Sequence, residues 1–261
     1  MPEDIEIYEL KKMDIRGATV IDGFPSVGLV SSIVANYLIN TLDLIQIGMM
    51  DSVYFPTVSL VRDGLPHNPV RIYAGEKVGS GPNSMDQIVV FISEFQPPPN
   101  LVKPIASAMI DWAQDQKCKM VISPEGLVID TETIDMDEEE KARLSVYGVG
   151  STDWMREELA KSGVEEFTEG VITGVAGVLL NEGKRRDFNV ATVLAEAHPD
   201  FPDARAAAKV MEYIGKLLLH INLDVTPLYQ EAERIESQLK SIHKQTKDMK
   251  ASGQNQPSMY G

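Results

Sequence analysis

The hexapeptide Ile88–Ser93, IVVFIS, is followed by LVKPIASAMIDWAQDQ (Leu101–Gln116) and then by CKMVIS (Cys118–Ser123). The two flanking runs are short, apolar and β-branched, so each reads as a buried strand. The middle segment repeats its apolar residues at helical spacing and reads as a helix. Pro104 falls in what this reading makes the first turn, a tolerated place for proline. The same alternation recurs outward. ATVIDGF (Ala18–Phe24) precedes the helical pattern VGLVSSIVANYLINTL, and GVIT (Gly170–Thr173) and NVATVLAEA (Asn189–Ala197) read as further strands. The span 50–75 has the alternation and turn residues of paired strands. Strands interleaved with helices predict an α/β layer architecture rather than a helical bundle or a β-sandwich.

Beyond Pro202 the chain is helical in pattern as far as Met249. After Pro202, the residues Val210, Met211, Ile214, Leu217, Leu218 and Ile221 share one face of an amphipathic helix. A second helix is predicted from Thr226 as cap and Pro227 at the first helical position. Its narrow stripe of Leu228, Ala232, Ile235, Leu239, Ile242, Thr246 and Met249 suits a groove on the domain or a neighbouring helix. Glu236 and Lys240 add a favourable four-residue pair. From Ala251 the sequence ASGQNQPSMYG carries no charged side chain, and we expect a flexible tail. The expected organisation is a core at 1–225, a helix at 226–250 and a tail at 251–261.

Composition narrows the function classes. The 261 residues are 43% hydrophobic, enough for a sizeable core. The formal charge of −15 argues against binding phosphate backbones, so no nucleic-acid partner is expected. Cys118 is the single cysteine, which precludes a disulfide within the chain and reads as an inert core thiol in a reducing compartment. There is no signal-peptide pattern and no apolar run of membrane-spanning length, so a cytoplasmic protein with no membrane partner is expected. MDEEEKARL (Met136–Leu144) reads as a solvated acidic patch.

Phosphate and metal motifs fail on inspection. GVLLNEGKRR has five residues between Gly177 and Gly183 where a P-loop needs four, and Arg185 stands where Ser or Thr would hold magnesium. GSGPNS and GVGSTD lack the third glycine of a dinucleotide fingerprint and read as turns. GVITGVAG and GFPSVG fit either an anion at a helix N-terminus or close strand-to-helix packing. His67, His198, His220 and His243 show no metal-ligand spacing, and His220 reads as a packed residue. No GxSxG elbow is present. No cofactor or metal is therefore expected. One constellation survives: Asp22, Glu94, Glu125 and Glu196 each fall at or near the carboxyl end of an expected strand, where open α/β sheets gather ligands. Converging, they would bind a cation or divide into an acid and a base of a small-molecule hydrolase or nucleoside-processing enzyme. The plainer reading is that they cap helices or meet water.

Several stretches together resemble the proteasome assembly chaperone 2 family in its archaeal form. They are DGFPSVGLVSSIVANYLI, GLPHNPVRIYAG, ISEFQPPP, GVITGVAGVLLNEGKRRDFNVATVLAEAHPDFPDARAAAKVMEYI and LDVTPLYQEAERIE, running from about Thr19 to about Glu236. The resemblance implies a three-layer α/β/α sandwich, similar in outline to nucleoside phosphorylases without their established catalytic residues. It also implies homo-oligomers and a role in maturation of the 20S proteasome. Some archaeal relatives end in a hydrophobic residue, tyrosine and any last residue, and Met259, Tyr260 and Gly261 match that pattern. In such a tip a flexible thioether, a rigid ring with a hydroxyl and a terminal carboxylate each have a use in a pocket between α-subunits. Several tails on one oligomer would bind by avidity, without ATP hydrolysis.

Overall fold

A computed structural model describes residues 5–75, 87–128, 145–216 and 224–230. It is a three-layer α/β/α sandwich around a nine-stranded sheet. In chain order the strands are β1 (Glu6–Glu9), β2 (Thr19–Gly23), β3 (Ile45–Asp51), β4 (Leu60–Arg62), β5 (Leu65–His67), β6 (Val70–Ala74), β7 (Ile88–Ser93), β8 (Met120–Val128), β9 (Val146–Gly150), β10 (Glu165–Glu166) and β11 (Val190–Ala197). The helices are α1 (Val30–Thr41), α2 (Pro99–Asp115), α3 (Asp153–Lys161), α4 (Gly174–Arg186) and α5 (Ala204–Ile214). The main sheet has the order β1-β3-β6-β7-β2-β8-β11-β9-β10, and β4 and β5 form a separate hairpin. At its centre β7, β2, β8 and β11 run parallel.

IVVFIS is β7 from its first residue to its last, and every residue in it is buried. An uninterrupted apolar run is what a strand covered on both faces requires. Alternate side chains divide between two cores. Val20, Val89, Phe91 and Val121 join α2 and α4 on one face, while Ile21, Val90, Ile92 and Ile122 join α1 and α5 on the other.

β8 runs through to Val128, well beyond the CKMVIS run, and includes Pro124. The proline is tolerated because the β2–β8 pairing extends only to Ile21 and Ile122, so no ladder bond to β2 is lost at Pro124. GVIT is not a strand. Residues 170–173 lead into α4, and a Cβ on Gly177 would stand 2.3 Å from the Ile172 carbonyl oxygen, so this glycine serves close packing. Gly23 behaves alike, with a Cβ there reaching 2.5 Å from that of Ala35 on α1. GVGSTD is more than a turn. Its first residues end β9, and Thr152 caps α3 by accepting a 3.2 Å hydrogen bond from the Met155 N–H. Because α2 starts at Pro99, Pro104 sits one turn deeper than the sequence pattern placed it.

Cys118 is buried among apolar neighbours, which push its thiol up to about 12, the inert state anticipated for it. Val210, Met211 and Ile214 are fully buried on α5 as their spacing predicts. Leu217, Leu218, Ile221 and His220 lie outside the described residues, as do GSGPNS, MDEEEKARL and His243. The second C-terminal helix is described only for its opening turn, 226–230. That turn is fastened to the body: Leu228 is buried, the Tyr229 hydroxyl donates to Glu212 Oε1 at 2.8 Å, and the Tyr37 hydroxyl donates to the Asp224 carbonyl at 2.8 Å.

Candidate functional site

The central parallel strands end together, and there Glu94 parts from the other three candidate carboxylates. Asp22, next to last in β2, is 2% exposed. Its Oδ2 accepts a 2.6 Å hydrogen bond from the Ser123 hydroxyl, and its Oδ1 accepts a 3.0 Å bond from the Phe24 N–H. Burial pushes its carboxyl up to about 6, and these two donors restrain the rise.

Glu125 lies within β8, two residues beyond Ser123 and on the same face. Its Oε1 accepts from the Gly126 N–H at 3.3 Å, and the Ser26 hydroxyl and Val27 N–H of the turn that opens α1 are near enough to favour its charged form. Desolvation first, and the nearby Asp22 charge second, raise it to about 8. The turn fits tightly, because a Cβ at Gly126 would stand 2.2 Å from the Val27 carbonyl oxygen. Gly28 takes a left-handed φ of 60° within it.

Register places Thr192 of β11 opposite Ser123, and Leu194 opposite Glu125. Glu196 therefore occupies the next rung of the same face, opposite Leu127. Glu94 is elsewhere. It follows β7, and its Oε1 accepts from Arg71 at 2.6 Å and from Arg62 at 2.7 Å. Arg71 pairs across β6–β7 with Ile92, a residue of the opposite core, so this ion pair belongs to the α1/α5 face.

The four carboxylates thus do not form one constellation. Strand parity puts Glu94 on the opposite face from Asp22, Glu125 and Glu196, because residues one apart in a strand point to opposite faces and nearness to a strand end does not fix the face. Asp22 and Glu125 share an electrostatic environment, but their hydrogen bonds go to their own backbone and hydroxyl neighbours. They act as internal ties for the α1 turn. Ser26, Ser123 and Arg71 complete these arrangements and were not singled out by sequence. The two-residue step from Ser123 to Glu125 was the available signal. Among the described residues there is no group of three or more His, Cys, Asp or Glu side chains placed to hold a metal ion. Nor is any described helix long and apolar enough to cross a membrane. Met259, Tyr260 and Gly261, the candidate partner-binding residues, lie outside the described residues.

The family model described as the PAC2 family matches residues 20–243. The chain belongs to the PAC2 family. A relative from Methanocaldococcus jannaschii, described as an uncharacterised protein, is 27% identical over 260 residues and spans the whole of both chains. Among solved structures, Pyrococcus furiosus PbaA is described as an archaeal homologue of proteasome-assembly chaperone. It superposes with a TM-score of 0.78 at 33% identity, covering 96% of each chain. PbaB from the same organism, described as an archaeal proteasome activator, has a TM-score of 0.76 at 22% identity, covering 92% of this chain and 99% of its own. The PAC2 match takes in the parallel core, the α1 turn with Asp22 and Glu125, and the first turn of the C-terminal helix.

Proposed function

We propose that this PAC2 protein is an ATP-independent chaperone of proteasome assembly, or an adaptor for the proteasome, that acts in the cytoplasm as a homo-oligomer without enzymatic activity. Met259, Tyr260 and Gly261 dock into pockets between subunits of the 20S α-ring. The observation that carries the reading is the 33% identity to PbaA over 96% of both chains. The match of the last three residues to the hydrophobic-tyrosine-any pattern adds the docking element.

The physical logic is multivalent. A single short tail loses conformational freedom on docking and binds weakly. Several tails on one oligomer raise the effective concentration of each by orders of magnitude. The enzymatic alternative has lost the quartet that motivated it, since Glu94 is held by two arginines on the other face and Asp22 and Glu125 hold their own loop. The test is co-elution with isolated α-rings. Deleting Met259–Gly261, or adding one residue after Gly261, should abolish association while leaving the oligomer intact; undiminished co-elution of both variants overturns the reading.

A further inference from the structure

A cavity of about 290 Å³ lies at the β10 edge of the main sheet, between α3, β9 and β10. One wall is apolar and is formed by Leu159, Ala160, Val164 and Phe167. The floor is backbone. β10 matches β9 only at Tyr147 and Gly148, and the Phe167 N–H closes that ladder on the Gly148 carbonyl at 3.0 Å. Backbone groups of alternate strand residues point to the same side, so the N–H and C=O of Gly150 face the cavity one rung past the end of the ladder. Gly150 is buried, and a buried rung with no strand beside it on that side suits a guest that carries both an acceptor and a donor.

The rim carries both signs of charge, from Arg156, Glu157 and Glu166. Arg156 pairs with Asp153 one turn earlier on α3, but Asp153 is 89% exposed and Arg156 is 50% exposed. So solvated a pair holds the guanidinium weakly, and a better shielded acid can take it over. Lys161 is taken by Glu158 at 2.7 Å, which leaves Glu157 and Glu166 without an ion-pair partner among the described residues.

Size and charge together select the guest. Ligand pockets run upward from about 300 Å³, so this one takes a single compact molecule. A purely apolar guest would leave the Gly150 rung and the rim charges unmatched, and a phosphate would be repelled by two carboxylates. A zwitterion meets every feature. Its carboxylate faces Arg156 and the Gly150 N–H, its ammonium faces Glu157 or Glu166 and the Gly150 C=O, and its side chain packs on Leu159, Val164 and Phe167. We propose that this cavity binds a free α-amino acid with an apolar side chain.

The site involves neither Met259–Gly261 nor the oligomer, so its test is independent of tail docking. Isothermal titration of the full chain with L-leucine and with L-phenylalanine should give saturable binding. L-Leucinamide lacks the carboxylate and N-acetyl-L-leucine lacks the ammonium, and each should bind about tenfold more weakly or worse. Arg156→Gln should weaken L-leucine by about tenfold and leave L-leucinamide unchanged, a pattern that a general loosening of α3 would not produce. Ala160→Trp places a large ring at the exposed mouth and should abolish binding, with the melt of the unliganded protein retained.

No saturable binding of either amino acid to the full chain overturns the proposal. So does an affinity for the amide or the acetylated form equal to that for L-leucine, because the site would then not read both charges. Undiminished binding by a folded Ala160→Trp variant overturns the location. Should that variant fail to fold, the two derivatives on the unaltered chain and the Arg156→Gln comparison still decide the matter.

Discussion

Glu94 and Glu125 are the same residue type at the same end of the same sheet, yet their surroundings are opposite. Glu94 receives two guanidinium groups and is half-open to water, and its charge is the counterpart of a buried Arg71. Glu125 receives only neutral donors, has the Asp22 carboxyl as its electrostatic neighbour, and holds its proton to about pH 8. The first is a conventional ionic latch. The second is a carboxyl kept in its acid form by burial, tying down the turn that leads into α1. A carboxylate at a strand end is therefore no guide to chemistry until the face it points to and the charges it meets are known.

Glu94→Ala would leave Arg71 buried with only the Asn68 carbonyl at 2.9 Å and the Tyr73 hydroxyl at 3.2 Å as hydrogen-bond partners. A cost of about 2–3 kcal/mol is expected, reduced from that of a fully buried pair because Glu94 is partly solvated. Urea denaturation at neutral pH measures it, and a loss of a few tenths would show that Arg71 does not need this partner.

Glu125→Gln tests the other side, with the opposite sign. A carboxyl whose folded value is raised from 4.5 to about 8 gives stability that is fully present below pH 4.5 and lost as the pH rises through 8. Removing the titration should therefore stabilise the protein above pH 8, by on the order of 1–2 kcal/mol, and do little or slight harm at pH 4. Melting curves at both pH values decide it. Equal effects at the two would mean that Glu125 is not protonated in the fold.

Asp22→Asn sharpens the coupling between the two acids. Because the Asp22 charge is the second cause of the rise at Glu125, its removal should lower the Glu125 midpoint below 8. Carbon-detected NMR titration of the side-chain carboxyl measures this, and an unmoved midpoint would leave desolvation as the whole cause. Smallest of all, Arg62→Ala removes a partner that is 49% exposed, and should cost no more than about 1 kcal/mol by the same denaturation.

The sequence carried the layered fold because its decisive strands are covered on both faces. IVVFIS has no polar residue before its last position, so neither its type nor its burial was in doubt. The edge was less legible. β1 and β10 are mostly exposed, short and rich in glutamate, and they draw their stability from pairing with β3 and β9 rather than from their own pattern. GVIT misled because a β-branched run before a helix also suits an extended approach to that helix. The carboxylates were visible as residues but not as a site, since face assignment needs the register of β8 against β2 and β11. The β4–β5 hairpin was legible as paired strands, whereas the exposure of its Val61 and Leu65 required the fold itself.

The proposed function places the protein's work at Met259, Tyr260 and Gly261 rather than at the acids of the strand ends. The most direct measurement is the equilibrium affinity of the full chain for isolated 20S α-rings, compared with that of Tyr260→Ala at matched oligomer size. The account predicts that most of the affinity is lost while the oligomer and its melting temperature are unchanged. An α-ring affinity equal to that of the unaltered chain would contradict it.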